Sequence, residues 1–359
     1  MPSRPNSFVP SAPEMDRAFR GASAAELVFL MRQCLERGAY DHALALYETF
    51  AARLPADPAL ALCEAVARFV GGEREAALGA VARLAETRPD DLNVLSVLGE
   101  MRARSGDEPG ACAALGTLIE RYPDYPGAQP ALASLLMPGP PYREILKAIH
   151  RALAPRTYLE IGVEKGGTLA LATSAEIAVG VDPADFALEA ALPAGARVVR
   201  ETSDTFFASR TRESLFGARA VELAFIDGMH LFEFALRDFA HVERWCAPGS
   251  TIVLHDCVPL ARVTAERERR TRFWVGDTWK AAIALARHRP DLRIRTILTP
   301  PSGLVVVRRL DPSSSVLLDR FAAIEAELSP LDYPHAPGDW PKELGPVPNS
   351  LEGVNEALG

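Results

Sequence analysis

Cysteine is scarce in this 359-residue sequence, and its few thiols form no metal-binding motif. The chain has no CxxC pair and no spacing typical of a zinc site; its five cysteines are Cys34, Cys63, Cys112, Cys246 and Cys257. Such a sparse, odd-numbered set excludes a disulfide scaffold and a zinc ribbon. It predicts reduced thiols, as expected of a cytoplasmic protein.

Long hydrophobic runs are missing as well. No apolar stretch approaches the ~20 residues that a membrane-spanning helix requires. The first residues, MPSRPNSFVPSAPEMDR, have no hydrophobic segment after their charge and do not fit a signal peptide. Their prolines predict a flexible leader over residues 1–21. We therefore expect neither a membrane protein nor a secreted one.

An excess of positive charge is also lacking. The formal net charge is −8, and because nucleic-acid binding requires an excess of cations, nucleic acid is not an expected partner. Apolar residues make up 48% of the chain and charged residues 24%, which is the composition of a globular protein. The length predicts two domains.

A 34-residue periodicity occupies the first third of the chain. Glycine, alanine and proline each recur at this interval: Gly38, Gly72 and Gly106; Ala43, Ala77 and Ala111; Pro55, Pro89 and Pro123. Apolar residues recur in the same register: Tyr47, Val81 and Leu115; Phe50, Leu84 and Leu118. Each unit predicts a helix, a turn with glycine, a second helix and a turn with proline.

This pattern resembles the tetratricopeptide repeat (TPR) in its period and in its glycine, alanine and proline positions. The resemblance covers residues 22–137 and implies an all-α helical-repeat domain of three units, about the minimum for a stable stack. Two interpretations stay open at this point. Either the repeats form a surface for a protein partner or for self-association, or they only cap the neighbouring domain.

Short apolar runs alternate with helical segments from Thr157 onward. The predicted strands are TYLEIGV, EIAVGVD, ARVVRE, VELAFID and TIVLHD, followed by LRIRTIL and GLVVVRRL as an antiparallel pair. We expect a helix over 142–153 before them and another at LALATSA after the first strand. The alternation is typical of a mostly parallel α/β sheet covered on both faces. It predicts such a domain over 138–311, then a helix and a Pro-rich, extended or disordered tail over 312–359.

Polar or acidic residues follow the predicted parallel strands: Glu160, Asp182, Ser203, Asp204, Asp227, His230, His255 and Asp256. Sheets of this kind bind ligands outside the carboxyl ends of their strands, so these residues mark the expected site. For any single one of them, capping of the following helix is the alternative interpretation.

A glycine-rich turn follows the first predicted strand. Gly162, Gly166 and Gly167 allow a ligand to approach the backbone and the N-terminus of the expected helix closely. A nicotinamide cofactor requires the spacing GxGxxG, which this sequence does not have, so a dehydrogenase is disfavoured. Asp182 closes the second strand, where a carboxylate accepts hydrogen bonds from the ribose of an adenosine cofactor.

The ordered set LEIGVEKGGTLA, GVDP, FIDGMH and APGSTIVLHD resembles the class I S-adenosylmethionine-dependent methyltransferases. Within this class it is most similar to the branch of the metal-dependent macrolide-sugar O-methyltransferases and the cephalosporin-cluster methyltransferase. The resemblance spans residues 140–310 and implies a Rossmann-like methyltransferase sheet, mostly parallel with an antiparallel last strand. The cofactor-binding residues that it implies are Glu160, Gly162, Gly166, Gly167 and Thr168 around the methionine part, Asp182 at the ribose, and Ser203 and Asp204, with Phe206, at the adenine.

The same resemblance implies a catalytic centre beyond the fourth and fifth strands, which are neighbours in this fold. Asp227, His255 and Asp256 are the expected ligands of Mg²⁺ or Mn²⁺, and such an ion would lower the pKa of an acceptor hydroxyl. His230 is the expected general base, because an imidazole titrates near neutral pH. The alternatives are a helix-start hydrogen bond for His230 and a buried, satisfied imidazole for His255.

An arginine-rich segment, residues 262–272, follows the fifth strand. We interpret it as a solvated helix face rather than as a grip for a phosphate or carboxylate of the substrate. Nearby, Trp274 and Trp279 form either a lid or part of the core.

The sequence thus predicts an enzyme that methylates a hydroxyl of a small molecule, such as a sugar or a secondary metabolite. Three alternatives stay open. The first is an adaptor in which the repeats bind a partner and the sheet domain is catalytically silent. The others are a metal-independent methyltransferase that acts on nitrogen or carbon, and a dehydrogenase.

Overall fold

The computed structural model describes residues 21–54, 56–334 and 338–359. The chain divides into two compact units, the first ending at Tyr122 and the second running from Pro123 to Gly359. Apart from Gly21, the predicted leader lies outside the described residues. No helix in the described ranges is long and apolar enough to cross a bilayer. All five cysteines are free thiols.

The described part of the first unit is helical. Its helices are α1 Ala24–Glu36, α2 Tyr40–Phe50, α3 Pro58–Gly71, α4 Arg74–Thr87, α5 Leu92–Arg104 and α6 Glu108–Arg121. Several begin at a side chain that accepts free N–H groups of the first turn. Ser23 forms a capping box with Glu26, and Asp57 and Asp91 cap α3 and α5. These caps explain where the helices start.

The 34-residue periodicity corresponds to pairs of helices. The recurring glycines lie between the two helices of each pair and have left-handed φ values: +72° at Gly38, +114° at Gly72 and +80° at Gly106. The recurring alanines are buried: Ala43, Ala77 and Ala111. The predicted order of helix, glycine turn and helix is therefore present. Membership of the TPR family stays a prediction, and Pro55 lies outside the described residues.

The second unit contains a sheet with helices on both faces. Its helices are α7 Ala128–Leu136, α8 Tyr142–Leu153, α9 Ser203–Ser209, α10 Arg212–Phe216, α11 Phe232–Trp245, α12 Trp279–His288, α13 Val316–Asp319, α14 Phe321–Leu328 and α15 Leu351–Leu358. Its strands are β1 Thr157–Ile161, β2 Ile177–Val181, β3 Ala196–Val199, β4 Val221–Ile226, β5 Cys246–His255, β6 Arg293–Ile297, β7 Leu304–Arg308 and β8 Pro346–Val347. The helix predicted over 142–153 is confirmed as α8.

The strands form one sheet in the order β3-β2-β1-β4-β5-β7-β6-β8. The strands from β3 to β5 pair in parallel, and β7 is antiparallel to both of its neighbours. The predicted fold class, a mostly parallel Rossmann-like sheet preceded by a helical domain, is confirmed. The strand order reverses between β1 and β4, which is where doubly wound sheets bind their ligands.

Apolar side chains cover both faces of the sheet. Successive residues of a strand point to opposite faces, so Leu159 and Ile161 of β1 pack on one side and Tyr158 on the other. The first face is covered by α9 to α12 and the second by α8 and α15. Burial on both faces explains why the central strands read as continuous apolar runs.

The segment after β1 differs from the prediction. We expected a helix at LALATSA, and the structure has a single 3₁₀ turn, Leu169–Leu171. The glycine turn takes the residues up to Thr168, and residues 169–176 lead to β2. In this described stretch, therefore, no α-helix presents its N-terminus to the glycine turn.

The Pro-rich tail also differs from the prediction of extended or disordered chain. β8 pairs in parallel with β6, where Pro346 lies opposite Thr296. The last helix, α15, buries Val354, Ala357 and Leu358 against the sheet. These three residues have the helical spacing i, i+3, i+4, a signal that the prolines before them obscured. The end of the chain thus completes the second face of the sheet.

Candidate active site

Two side chains that the sequence singled out meet beyond β4 and β5. Ile226 of β4 pairs with Leu254 of β5, so the next residues, Asp227 and His255, follow side by side. Nδ1 of His255 lies 3.1 Å from Oδ1 of Asp227. This register confirms the prediction that the fourth and fifth strands are neighbours in the sheet.

His230 lies between two carboxylates. Its Nε2 is 3.5 Å from Oδ1 of Asp227 and 3.2 Å from Oδ2 of Asp256. Its Nδ1 is 3.1 Å from the carbonyl oxygen of Trp274. Because a carbonyl only accepts hydrogen bonds, Nδ1 carries a hydrogen and Nε2 is the nitrogen that gains or loses a proton. A Cβ at Gly276 would lie 1.7 Å from the His230 carbonyl oxygen, so a glycine there lets the two segments pack closely.

Asp227, His230, His255 and Asp256 form one cluster, in which burial and neighbouring opposite charges shift the pKa values in opposite directions. Burial alone would lower the pKa of His230, but the hydrogen bond to Asp227 and the charge of Asp256 raise it to about 9. Burial alone would raise the pKa of Asp227, but the imidazoles of His255 and His230 hold it well below its usual range. At neutral pH, His230 is therefore an imidazolium held between acidic side chains.

Asp256 and His255 are held by residues that the sequence analysis missed. The backbone of Asp256 has a φ of +57°, a left-handed conformation that few non-glycine residues adopt. The Ser302 hydroxyl donates a hydrogen bond to Oδ1 of Asp256. Tyr142 stacks on His255 with ring centroids 4.2 Å apart. Ser302 precedes β7 and Tyr142 begins α8, so neither belongs to a local motif that could have identified it.

Asp182 fixes the glycine turn. Its Oδ2 accepts hydrogen bonds from the backbone N–H groups of Val163 and Glu164 at 2.9 and 2.8 Å. Its Oδ1 accepts the N–H of Ala184 at 2.8 Å. The structure thus gives Asp182 a role in shaping the turn that the sequence did not indicate. Its contact with a ribose stays a prediction.

The glycines of the turn permit close approach in two places. Gly162 has a φ of +88°, and a Cβ there would lie 1.9 Å from the carbonyl oxygen of Asp227. Gly166 also has a positive φ, of +81°. A Cβ at Gly167 would lie 3.1 Å from Cζ of Arg143. Gly162 therefore lets the turn contact the chain after β4, and Gly167 lets an arginine cover the turn.

Glu160 is fully buried next to the turn. Tyr158 donates its hydroxyl to Oε2 at 2.5 Å, and Thr168 donates to Oε1 at 2.8 Å. Burial raises the pKa of Glu160 to about 8. A carboxyl group with this pKa is mostly protonated at neutral pH. Glu160 and Thr168 therefore stabilise the base of the turn, and their contact with a cofactor stays a prediction.

The structure does not bring Ser203 and Asp204 into the cluster. Asp204 accepts two hydrogen bonds from Arg237 of α11, at 3.1 and 2.9 Å. A hydrogen bond links Ser203 to Asp238, also of α11. Phe206 is fully buried in the core, so the expectation that it clamps an adenine ring is wrong. The two polar side chains tie α9 to α11, and their adenine contact stays a prediction.

The arginines of the arginine-rich segment are solvent-exposed as expected, but the segment is not a helix. It contains only a 3₁₀ turn, Arg262–Thr264. Arg267 pairs with Glu233 at 2.7 Å and with Asp277 at 2.9 Å, which anchors the segment to α11 and α12. Beyond it, Trp274 stacks on His230 with centroids 5.5 Å apart, whereas Trp279 is buried in the core. Trp274 is thus the tryptophan that lies at the cluster.

Three side chains of the cluster could hold a divalent ion. Asp227, His230 and Asp256 each offer one ligand atom, and these atoms lie within 4.8 Å of one another. Two carboxylate oxygens and one imidazole nitrogen suit Mg²⁺ or Mn²⁺, with water or substrate oxygens in the remaining positions. The histidine of this group is His230 and not the predicted His255, although Nδ1 of His255 also lies 3.1 Å from Asp227 and 3.4 Å from Asp256. A small pocket lined by Asp227, His230 and His255 opens beside the cluster.

Part of the second unit is similar to a known protein family. Residues 159–257 match the family model described as a methyltransferase domain. This range runs from β1 to just beyond β5 and contains every residue predicted to bind cofactor or metal. No curated protein matches the chain.

Among solved structures, the chain is similar to three O-methyltransferase structures. One is the O-methyltransferase of Bacillus cereus in complex with SAH (13% identity, 54% of this chain and 96% of that chain, TM-score 0.35). Another is a putative O-methyltransferase of Klebsiella pneumoniae (13% identity, 55% and 97%, TM-score 0.38). The third is TomG of Streptomyces achromogenes, involved in tomaymycin synthesis and solved with SAM (15% identity, 52% and 92%, TM-score 0.38).

Proposed function

We propose that this protein transfers the methyl group of S-adenosylmethionine to a hydroxyl of a small molecule, such as a sugar or a secondary metabolite. The observation that carries the proposal is the position of His230, whose Nε2 lies 3.5 Å from Asp227 and 3.2 Å from Asp256. The cluster follows strands on one side of the point where strand order reverses. The match of residues 159–257 to a methyltransferase domain supports the cofactor class.

His230 accepts the hydroxyl proton in this proposal. The Trp274 carbonyl keeps a hydrogen on Nδ1, so the neutral ring has its lone pair on Nε2. The carboxylates of Asp227 and Asp256 stabilise the imidazolium that forms and raise the pKa of His230 to about 9. The neutral ring that accepts the proton is therefore the minor form at neutral pH, and turnover should increase as the pH rises towards 9. A positioned base of this kind contributes ~10²–10⁴-fold to a proton-transfer step. S-adenosylmethionine, when bound, would supply the methyl group to the deprotonated oxygen, with the thioether as the leaving group.

Asp227 and Asp256, together with His230, would hold a divalent ion. When bound, such an ion supplies positive charge that lowers the pKa of an acceptor hydroxyl and of a neighbouring imidazolium. A ring that gives Nε2 to an ion cannot accept a proton on the same atom. The roles of His230 as ligand and as base are therefore mutually exclusive, and experiments can separate them.

The glycine turn and Asp182 would hold the cofactor. The backbone of the turn is open to the methionine part of the cofactor, because the turn contains Gly162, Gly166 and Gly167. Asp182 accepts hydrogen bonds from the N–H groups of Val163 and Glu164 at Oδ2 and from that of Ala184 at Oδ1, and these bonds preorganise the turn. One lone pair of Oδ1 remains, and it suits a hydroxyl group of a ribose.

For the first unit we propose a surface for a protein partner or for self-association. The regular helix pairs support this, and so does Phe29 of α1, which is 63% exposed. Large exposed aromatic side chains are typical of interaction surfaces when they lie in a wider apolar patch. An adaptor with a silent sheet domain would use this surface alone and would turn over no acceptor.

Calorimetric titration with SAM and with SAH, with and without Mg²⁺, tests the proposed function. Wild type should bind both ligands, and a panel of hydroxyl compounds should then yield a methylated product detectable by mass spectrometry. The variant His230→Gln should keep SAH binding and lose turnover. Folded wild type that binds neither ligand would contradict the proposal. Binding without turnover on any hydroxyl, amine or carbon acceptor would favour the adaptor.

A further inference from the structure

An arginine outside the predicted site covers the glycine turn. A Cβ at Gly167 would lie 3.1 Å from Cζ and Nη1 of Arg143 and 3.2 Å from Nη2. Three guanidinium atoms at almost the same distance mean that the flat face of the group lies on the backbone of Gly167. A Cβ at position 167 would therefore require the guanidinium to shift by a few tenths of an ångström.

The charge of Arg143 has no acidic partner in the described part of the chain. Its side chain donates one hydrogen bond, from Nε to the Tyr142 hydroxyl at 3.2 Å. The carboxylates that act on it, Glu164 in the turn and Asp227 in the cluster, are beyond ion-pair distance. Most other arginines around the cluster are paired, as Arg267 is with Glu233. Arg143 thus keeps Nη1 and Nη2 for a ligand.

The position of Arg143 is fixed by its neighbour. Tyr142 stacks on His255, and its backbone N–H donates to the carbonyl oxygen of Pro300 at 3.0 Å. The guanidinium also lies over the Tyr142 ring, 5.8 Å from its centroid. The start of α8 is therefore anchored to the catalytic cluster on one side and covers the glycine turn on the other.

We propose that Arg143 binds the α-carboxylate of the methionine part of S-adenosylmethionine. This inference rests on the proposed function, because it concerns the same cofactor. The methionine part carries the one carboxylate of the ligand, and the proposed binding mode places that part at the turn that Arg143 covers. A guanidinium presents two parallel N–H donors that match a carboxylate, so a two-point contact is expected.

Titration with SAH and with its decarboxylated analogue tests this inference. Wild type should bind SAH about 10- to 100-fold more tightly than the analogue, the range of a hydrogen-bonded charge pair. Arg143→Met keeps the aliphatic stem and should bind both ligands with nearly the same affinity. Arg151→Met, at an exposed position of the same helix, is the matched control and should keep the wild-type ratio.

Gly167→Ala provides a second, independent test. Gly167 does not have a positive φ, so alanine costs no backbone strain there, and its Cβ displaces only the guanidinium. The preference for SAH over the analogue should fall in this variant, and it should not fall further when Arg143→Met is added. An unchanged preference in Arg143→Met, or an equal loss for both ligands, would overturn the inference and leave the proposed function standing. Wild type that binds neither ligand would overturn both.

Discussion

Oδ2 of Asp256 lies 3.2 Å from Nε2 of His230, although the two residues follow different strands. Asp256 reaches this position because its φ of +57° turns the chain directly after β5. His230 reaches it because the Trp274 carbonyl fixes the other side of the ring. Each residue has a second neighbour of opposite type, since His230 also lies 3.5 Å from Asp227 and Asp256 lies 3.4 Å from His255. Removing either residue therefore weakens the charge balance of the site and should reduce its stability.

Metal-free wild type should lose stability as the pH rises from about 6.5 to about 9. The pKa of His230 is raised from 6.5 to about 9 in the folded protein. A raised folded-state pKa contributes stability that is complete below the unfolded value and is lost as the pH passes the folded value. The expected loss is about 1–3 kcal/mol. Urea unfolding in the presence of a chelator, at the two ends of this range, measures it.

The variant His230→Gln should have a smaller difference in unfolding free energy between the two pH values than wild type. Part of the difference should remain, because burial raises the pKa of Glu160 to about 8, within the same range. His241→Gln is the control, because burial lowers the pKa of His241 and its titration therefore lies below this range. An undiminished pH dependence in His230→Gln would show that other groups cause it.

Mg²⁺ or Mn²⁺ should raise the melting temperature of wild type but not of Asp256→Asn. The reason is that ion binding to the folded state alone stabilises it by mass action, and Asp227, His230 and Asp256 supply the ligand atoms. Asp204→Asn, whose side chain pairs with Arg237 outside the cluster, should respond as wild type does. Electron paramagnetic resonance of bound Mn²⁺ with ¹⁵N-labelled histidine would show whether His230 is a ligand. A coupling that His230→Gln abolishes would exclude its role as the base.

Gly162→Ala should destabilise the protein more than Gly217→Ala. Both glycines have positive φ, +88° and +62°, so alanine causes backbone strain at either position. A Cβ at Gly162 would also lie 1.9 Å from the Asp227 carbonyl oxygen, whereas nothing lies within 4 Å of one at Gly217. Strain alone costs ~1–3 kcal/mol, and we expect the clash to add to it. Equal losses of unfolding free energy in the two variants would contradict the close approach of β1 and β4.

Asp182→Asn should weaken SAH binding and reduce the unfolding free energy by about 1–3 kcal/mol. An amide has a single acceptor oxygen, so N–H groups of Val163, Glu164 or Ala184 lose their partner. Asp185→Asn is the matched control in the same loop, since its side chain is 97% exposed. It should leave both quantities unchanged. If Asp182→Asn kept the stability of wild type and lost only the affinity, Asp182 would act on the cofactor and not on the turn.

Local patterns in the sequence were sufficient for most of the elements. The recurring glycines Gly38, Gly72 and Gly106 predicted the turns between helices, because a left-handed φ is a property of one residue and its neighbours. The apolar runs predicted the buried strands, because a strand covered on both faces consists of consecutive apolar residues. At LALATSA the same reasoning was wrong, because the segment forms only a 3₁₀ turn, Leu169–Leu171, before β2.

These local patterns did not predict contacts between segments that are far apart in the chain. Phe206 follows β3 closely in the sequence, as a residue of the ligand site would. Only the packing of α9 on α11 places its side chain in the core. Tyr142, Arg143 and Ser302 carry no motif, and they enter the site because α8 and the turn before β7 pack beside the ends of β1 and β5.

The sequence by itself determined the helical repeats, the order of the strands along the chain and the acidic and imidazole residues at their ends, because each depends on composition and spacing within a few residues. Tertiary structure decided which of these side chains meet. The register of β4 and β5 placed Asp227 beside His255, and the segment around Trp274 turned His230 between Asp227 and Asp256. Such positions depend on the packing of elements far apart in the chain, which no local pattern encodes.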